Sequence, residues 1–116
     1  MTYLQAIINN LKQSPMILKG MLNDIPKNRL KVQRHEGKWC IHEHTCHLAQ
    51  AESMIFERFK EFESNENPTF TPYLPGVNID TDHLLDKNLH QELSRYESLR
   101  NQLVDLISTF EESLWL

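Results

Sequence analysis

The segment from Ile41 to Glu63 carries apolar side chains at helical spacing without interruption. At about 1.5 Å per residue, one helix over this segment would be roughly 35 Å long. A helix of that length must bury its apolar stripe against other helices. The predicted stripe consists of Ile41, Leu48, Ala51, Ile55, Phe59 and Phe62, and His44 falls on the same stripe. The pattern therefore predicts a helical bundle.

A first helix is predicted from about Tyr3 to Asn23, where leucine and isoleucine recur at helical spacing. Ser14-Pro15 interrupts this pattern, and proline inside a helix loses a hydrogen bond and clashes with the preceding turn. The dipeptide predicts either a kink or a fresh helix start capped by Ser14. Ile25-Pro26 then ends the element.

A third helix is predicted from about His83 to Glu112, with Asp82 as its cap and a leucine-rich stripe. The connection from Ser64 to Thr81 holds three prolines and is longer than bundle connections usually are. Loops of this kind are often lids or binding segments. The connector over residues 26–39 has no clean period.

At 116 residues, with only three glycines, the chain is expected to form a single domain over residues 1–116. The predicted fold is an all-α, up-down helical bundle with three main helices. A net charge of −4 argues against nucleic-acid binding, which needs a basic face. The connector is a local exception with five cations, which form either a solvated segment or an anion-binding rim for a carboxylate or phosphate-bearing ligand: Lys27, Arg29, Lys31, Arg34 and Lys38.

The two cysteines, Cys40 and Cys46, are six positions apart. Within one helix they would lie about 9 Å apart along the axis, too far to form a disulfide. Two unbridged thiols, no leader and no apolar run near 18 residues predict a cytoplasmic protein without a membrane span.

Three of the six histidines fall between Trp39 and Glu52. His44 and His47 share one face of the helix, whereas His42 points elsewhere. Imidazole and thiolate both bind zinc, nickel and copper. The spacing of these histidines nevertheless matches no strong metal signature, so surface or core histidines are the competing interpretation.

Gly37-Lys-Trp39 followed by Ile41, and then His47-Leu-Ala-Gln-Ala-Glu52, resembles the DinB-like family. This superfamily of metal-binding four-helix bundles is related to bacillithiol and mycothiol transferases. The order of elements is also similar, so the resemblance spans essentially the whole chain. It implies a divalent metal, nickel or zinc, held by three histidines, of which His47 is one. The other two form a His-x3-His pair on a fourth helix.

Three further residues are candidates for the surroundings of this site. His44, Glu52 and Trp39 are the expected pocket or supporting residues, with Glu52 as a proton-handling group. The competing interpretations are a solvated Glu52 and a Trp39 that anchors the core. The sequence departs from the family pattern in two places: Cys40 replaces the usual Ser or Thr cap, and nothing after Phe110 contains a histidine. The fourth helix of the family is thus expected to be missing, and the metal site to be incomplete in this chain. Either the chain is a truncated form, or a partner supplies the missing ligands, or the metal site has been lost.

These observations leave several functions open. The first is a metal-dependent transferase using a low-molecular-weight thiol of the bacillithiol type, or a hydrolase, acting on a small-molecule substrate. The second is a non-catalytic dimerisation or scaffold protein. The third is a metal or redox sensor, which requires a depressed thiol pKa near Cys40. A homodimer is expected in any case, because three broad apolar stripes would otherwise stay exposed.

Overall fold

The computed structural model describes residues 2–65, 67–70 and 83–110. It contains three α-helices, α1 (Tyr3–Asn23), α2 (Ile41–Ser64) and α3 (Leu89–Ile107). Single turns of 3-10 helix lie at Lys27–Arg29 and Leu84–Asp86. No strand occurs in these ranges, so the all-α class is confirmed. None of the described helices has the length and apolarity needed to cross a membrane.

Helix α1 is continuous through Pro15. It begins with reciprocal hydrogen bonds: the Thr2 amide donates to Gln5 Oε1 at 2.9 Å, and the Gln5 amide donates to Thr2 Oγ1 at 3.1 Å. The Ser14 hydroxyl donates to the Asn10 carbonyl at 2.7 Å and caps no second helix. The predicted fresh start at Ser14 is therefore wrong.

Helix α3 begins later than predicted. Its cap is Asn88, whose side chain accepts a hydrogen bond from the Gln91 amide at 3.0 Å. The preceding residues form the separate 3-10 turn, which buries Leu84. The helix ends at Ile107 rather than at Glu112. The predicted cap Asp82, most of the loop over 64–81 and the residues beyond 110 lie outside the described part of the chain.

Helix α3 packs against both of the other helices, whereas within the described residues no Cα atom of α1 lies within 8 Å of one in α2. Two contacts fix the direction of α2 relative to α3: His42 lies beside Lys87, and Glu52 lies beside Arg100. Both helices therefore run the same way, and strict up-down alternation does not hold for this pair. The end of α2 and the start of α3 therefore lie at opposite ends of this helix pair.

The face of α2 that packs against the rest of the protein is not the predicted stripe. Ile41 and Leu48 are 39% and 41% exposed. The buried side is more polar and includes His42, whose Nε2 lies 3.0 Å from the Lys87 carbonyl oxygen. The buried residues of α2 are His42, Glu43, Thr45, Cys46, Ala49 and Glu52. The predicted stripe has no helix opposite it in the described residues, because α3 occupies the other side.

A buried ion pair joins the helices at mid-height. The Arg100 guanidinium donates to both carboxylate oxygens of Glu52, at 2.7 and 3.0 Å. A third nitrogen–hydrogen group of Arg100 donates to the Leu11 carbonyl of α1 at 3.0 Å. Pro15 has no N–H and leaves that carbonyl without its α-helical partner. The proline in α1 thus creates the acceptor that Arg100 uses.

Glu52→Ala should lower the free energy of unfolding by about 3–5 kcal/mol, because it leaves the Arg100 charge buried without its partner. The Glu52 side chain is 2% exposed and that of Arg100 is 11% exposed. Urea denaturation followed by circular dichroism measures the effect. Glu92→Ala is the matched control, since it removes the more exposed pair with Arg95 and should cost less than about 1 kcal/mol. Equal losses in the two variants would contradict this role for Glu52.

Candidate functional site

The start of α2 is fixed by hydrogen bonds to the connector. Gly37 turns the chain with φ of 75°, in the left-handed region that favours glycine. The Cys40 amide donates to Glu43 Oε1 at 3.0 Å, and Gln33 donates to the same oxygen at 2.8 Å. The His42 amide donates to the Leu30 carbonyl at 2.9 Å. These bonds hold Trp39 at the head of the helix even though Cys40, a poor cap, replaces serine or threonine.

The Glu43 carboxylate is part of this support. Burial pushes its pKa up, but the hydrogen bonds from Gln33 and from the Cys40 amide outweigh burial. The pKa of Glu43 is therefore lowered, and the group is ionised near neutral pH. Its negative charge lies in the first turn of α2. The sequence predicted neither hydrogen bond and indicated only that Cys40 is a weak cap.

Three of the four predicted site residues lie together. The ring of Trp39 lies 5.3 Å from that of His44 and 4.9 Å from that of His47, measured between centroids. The contact with His44 is edge-on, and the contact with His47 is tilted. His47 is half-buried, whereas His44 is exposed. We call His44 and His47 the imidazole pair.

The environment keeps His47 neutral. Burial lowers the pKa of its imidazole, and the neighbouring His44 lowers it further, because two imidazolium charges would repel each other. A neutral imidazole has a lone pair on one ring nitrogen and can bind a metal ion without first losing a proton. At neutral pH this chain therefore presents His47 in the form that coordinates metals.

Glu52 bonds to Arg100 and not to the imidazole pair. Its carboxylate is buried and both of its oxygens are bonded to Arg100, so the solvated interpretation is wrong. With both oxygens engaged, the role that the contacts support is structural. The glutamate of the His-Leu-x-x-x-Glu motif holds α3 against α2 in this chain.

The described residues do not complete a metal site. Within these ranges no group of three or more His, Cys, Asp or Glu side chains could hold a metal ion. Every histidine of the sequence lies inside the described ranges, namely His35, His42, His44, His47, His83 and His90. Both cysteines lie there too. A three-histidine site therefore needs at least one imidazole from outside these 116 residues.

The surroundings of Cys46 are not those of a redox-sensing thiol. Cys40 and Cys46 are both buried and unbridged. Burial raises the pKa of Cys46 to about 11, and the negative charge of Glu92 acts in the same direction. The sensor hypothesis requires a thiol with a depressed pKa, and Cys46 is not such a thiol.

A cavity of about 610 Å³ opens beside Trp39 and His44, between the end of α1 and the start of α2. We call it the connector cavity. The sequence indicated its cations as an anion-binding rim, but it did not indicate that Asp24, Ile25 and His35 line the same space. The three come together only because the chain reverses between α1 and α2.

His47 should make the metal-free protein less stable in mild acid. Since its folded pKa lies below the ordinary 6.5, the unfolded chain binds the proton more readily. The free energy of unfolding should therefore fall as the pH drops from about 6.5 through the folded pKa, and this contribution should level off below it. Urea denaturation at a series of pH values measures this dependence. His47→Gln should flatten it, whereas the exposed control His90→Gln should not; parallel curves for wild type and His47→Gln would contradict the assignment.

Cys46 should react slowly with thiol reagents in the native state. A buried thiol with a pKa of about 11 has little thiolate at pH 8. Cys40→Ser isolates this thiol, and a native-state titration with a disulfide reagent reports its rate. Urea should restore fast reaction, and fast labelling of the folded protein would revive the sensor hypothesis.

Comparison with known proteins identifies a relative and a family for this chain. A curated protein of Oceanobacillus iheyensis named "Putative metal-dependent hydrolase" is 29% identical over 66 residues, which is 57% of this chain. The alignment spans 38% of that relative's own length. No solved structure matches the chain. The family model of the DinB superfamily matches residues 10–115, nearly the whole sequence. The protein belongs to the DinB superfamily.

Proposed function

We propose that this protein is a divalent-metal-dependent member of the DinB superfamily and that His47 is a metal ligand. The observation that carries the proposal is the imidazole pair packed on Trp39, with His47 held neutral. A neutral, half-exposed imidazole beside a second one is a suitable start for a nickel or zinc site. The name of the relative, a metal-dependent hydrolase, supports the same class.

A second copy of the chain is the proposed source of the missing ligands. Two imidazole pairs facing each other across a twofold axis would offer up to four nitrogen ligands, and three of them are enough for a zinc site that keeps one position open. The exposed Ile41 and Leu48 lie on the same helix as the pair and supply apolar surface for such a contact. The homodimer expected from the sequence thus gains a chemical reason.

The type of reaction is proposed by analogy with the family and with the named relative. The family resemblance favours transfer to a low-molecular-weight thiol of the bacillithiol type, and the relative's name favours hydrolysis. In both cases the chain's contribution is to supply an uncharged His47 and to pack its ring against Trp39. The described residues complete no metal site, so we assign no catalytic step to them. The proposed location is the cytoplasm.

A non-catalytic dimerisation protein is the second candidate. The large apolar side chains on the outer face of α1 favour it, since Met16, Ile17 and Met21 are all exposed. This candidate shares the homodimer with the first proposal but needs no metal. Metal binding therefore separates the two.

Purified protein supplied with nickel or zinc should bind about one ion per two chains, with His47→Ala lowering the affinity at least about tenfold. Isothermal titration calorimetry and elemental analysis measure stoichiometry and affinity. Sedimentation in the same buffers should show a dimer that weakens when the metal is removed. His44→Ala should weaken binding in the same direction, because it removes the other imidazole of the pair.

The matched control is His90→Ala, an exposed histidine on α3 outside the imidazole pair. It should bind metal as wild type does. A folded dimer that takes up neither nickel nor zinc would favour the dimerisation protein. Metal retained by His47→Ala, or bound one ion per chain by a monomer, would overturn the shared site.

A further inference from the structure

We propose that the connector cavity binds a small organic anion, with an apolar body against Trp39 and a carboxylate or phosphate group at the cations of the connector. The inference rests on the proposed function only in making this anion the substrate. Binding itself depends on the cavity. Neither the name of the relative nor that of the superfamily refers to an anion site in this cavity.

The size and lining of the cavity suit a small molecule. Its volume of about 610 Å³ lies within the roughly 300–1,000 Å³ of ligand pockets. One part of the wall is apolar and joins the end of α1 to the start of α2. Those side chains are Ile25, Pro26, Val32, Trp39 and Ile41. A flat or aliphatic body fits such a wall because its burial removes apolar surface from water.

The charged part of the wall is strongly positive. Arg29, Arg34 and Lys38 line the cavity, and the single acidic lining residue is Asp24. Among the described residues, the ion pairs found join other side chains, and none includes these three cations. They are exposed, so an anion at the mouth of the cavity can reach them without breaking an ion pair among the described residues. Guanidinium groups suit carboxylate and phosphate because they donate two parallel hydrogen bonds.

The cavity adjoins the proposed metal site through shared residues. His44 lines the cavity and contacts Trp39, whose ring also contacts His47. An anion seated on Trp39 would lie next to the imidazole pair. The basic stretch of the connector and the imidazole pair thus become two parts of one site, one for holding the ligand and one for the metal.

The test uses metal-free protein carrying Trp115→Phe, so that fluorescence reports Trp39 alone. Phenyl phosphate and benzoate are the probes, and they distinguish a phosphate from a carboxylate ligand. Benzyl alcohol tests the apolar wall without the charge. We expect saturable quenching by at least one organic anion. Benzyl alcohol should bind at least about tenfold more weakly, because it cannot form charge-assisted hydrogen bonds with the cations of the connector.

Arg34→Gln combined with Lys38→Gln should lower the affinity for the anion at least about tenfold. The matched control is Lys27→Gln with Lys31→Gln, which removes the same charge from the same connector at positions that do not line the cavity. This control should change the affinity less than about threefold. Because all four side chains are exposed, neither pair should impair folding.

Three results would overturn the inference: no saturable binding of either anion, equal binding of benzyl alcohol, or equal weakening by the two double variants. Equal weakening would mean that a diffuse positive field, rather than the cavity, attracts the anion. Two variants separate the two proposals. His47→Ala should lower the metal affinity at least about tenfold, whereas Arg34→Gln with Lys38→Gln should weaken anion binding and leave the metal affinity within about threefold. Anion binding without metal binding would contradict only the proposed function. Metal binding without anion binding would contradict only the anion site in the connector cavity.

Discussion

The contact between Arg100 and its two neighbours governs how the helices assemble. A buried guanidinium needs compensation, since an unpaired charge in the interior is costly. Glu52 supplies the charge from α2, and the Leu11 carbonyl supplies a further acceptor from α1. That acceptor is open because Pro15 cannot donate to it. A proline that looks disruptive in the sequence therefore lets α3 bind both neighbours at one height, and α1 and α2 need not touch.

With α3 packed between its neighbours, the other side of α2 is left without a helix in the described residues. The imidazole pair and Trp39 lie at the head of this helix, where the connector bonds hold them. The same half of the helix exposes Ile41 and Leu48. The proposed metal ligands and the uncovered apolar surface thus occur together. This is the reason that we propose a second copy of the chain as the source of the remaining ligands.

Periodicity and resemblance predicted much of this arrangement, and their failures have one cause. The bounds of α1 and α2 and the shared face of His44 and His47 followed from spacing along a helix, whereas the contact of Trp39 with both rings did not. The buried face of α2 did not, because the helix has apolar groups on more than one side. The environment of Glu52 was not predicted either, because spacing along one helix does not show which distant residue reaches it. A glutamate is solvated unless a cation contacts it, and Arg100 is 48 residues away.

The sequence alone determined the helical class, the membership of the superfamily and the chemical groups available to a site, because these depend on local spacing and residue type. The direction of α3 beside α2, the burial of His42 and Glu52, and the cavity beside Trp39 were decided only by the tertiary structure. Each depends on which segments meet in space, and a single chain read residue by residue carries no distance between them. Packing, hydrogen-bond satisfaction and charge compensation select one arrangement among several that the pattern allows.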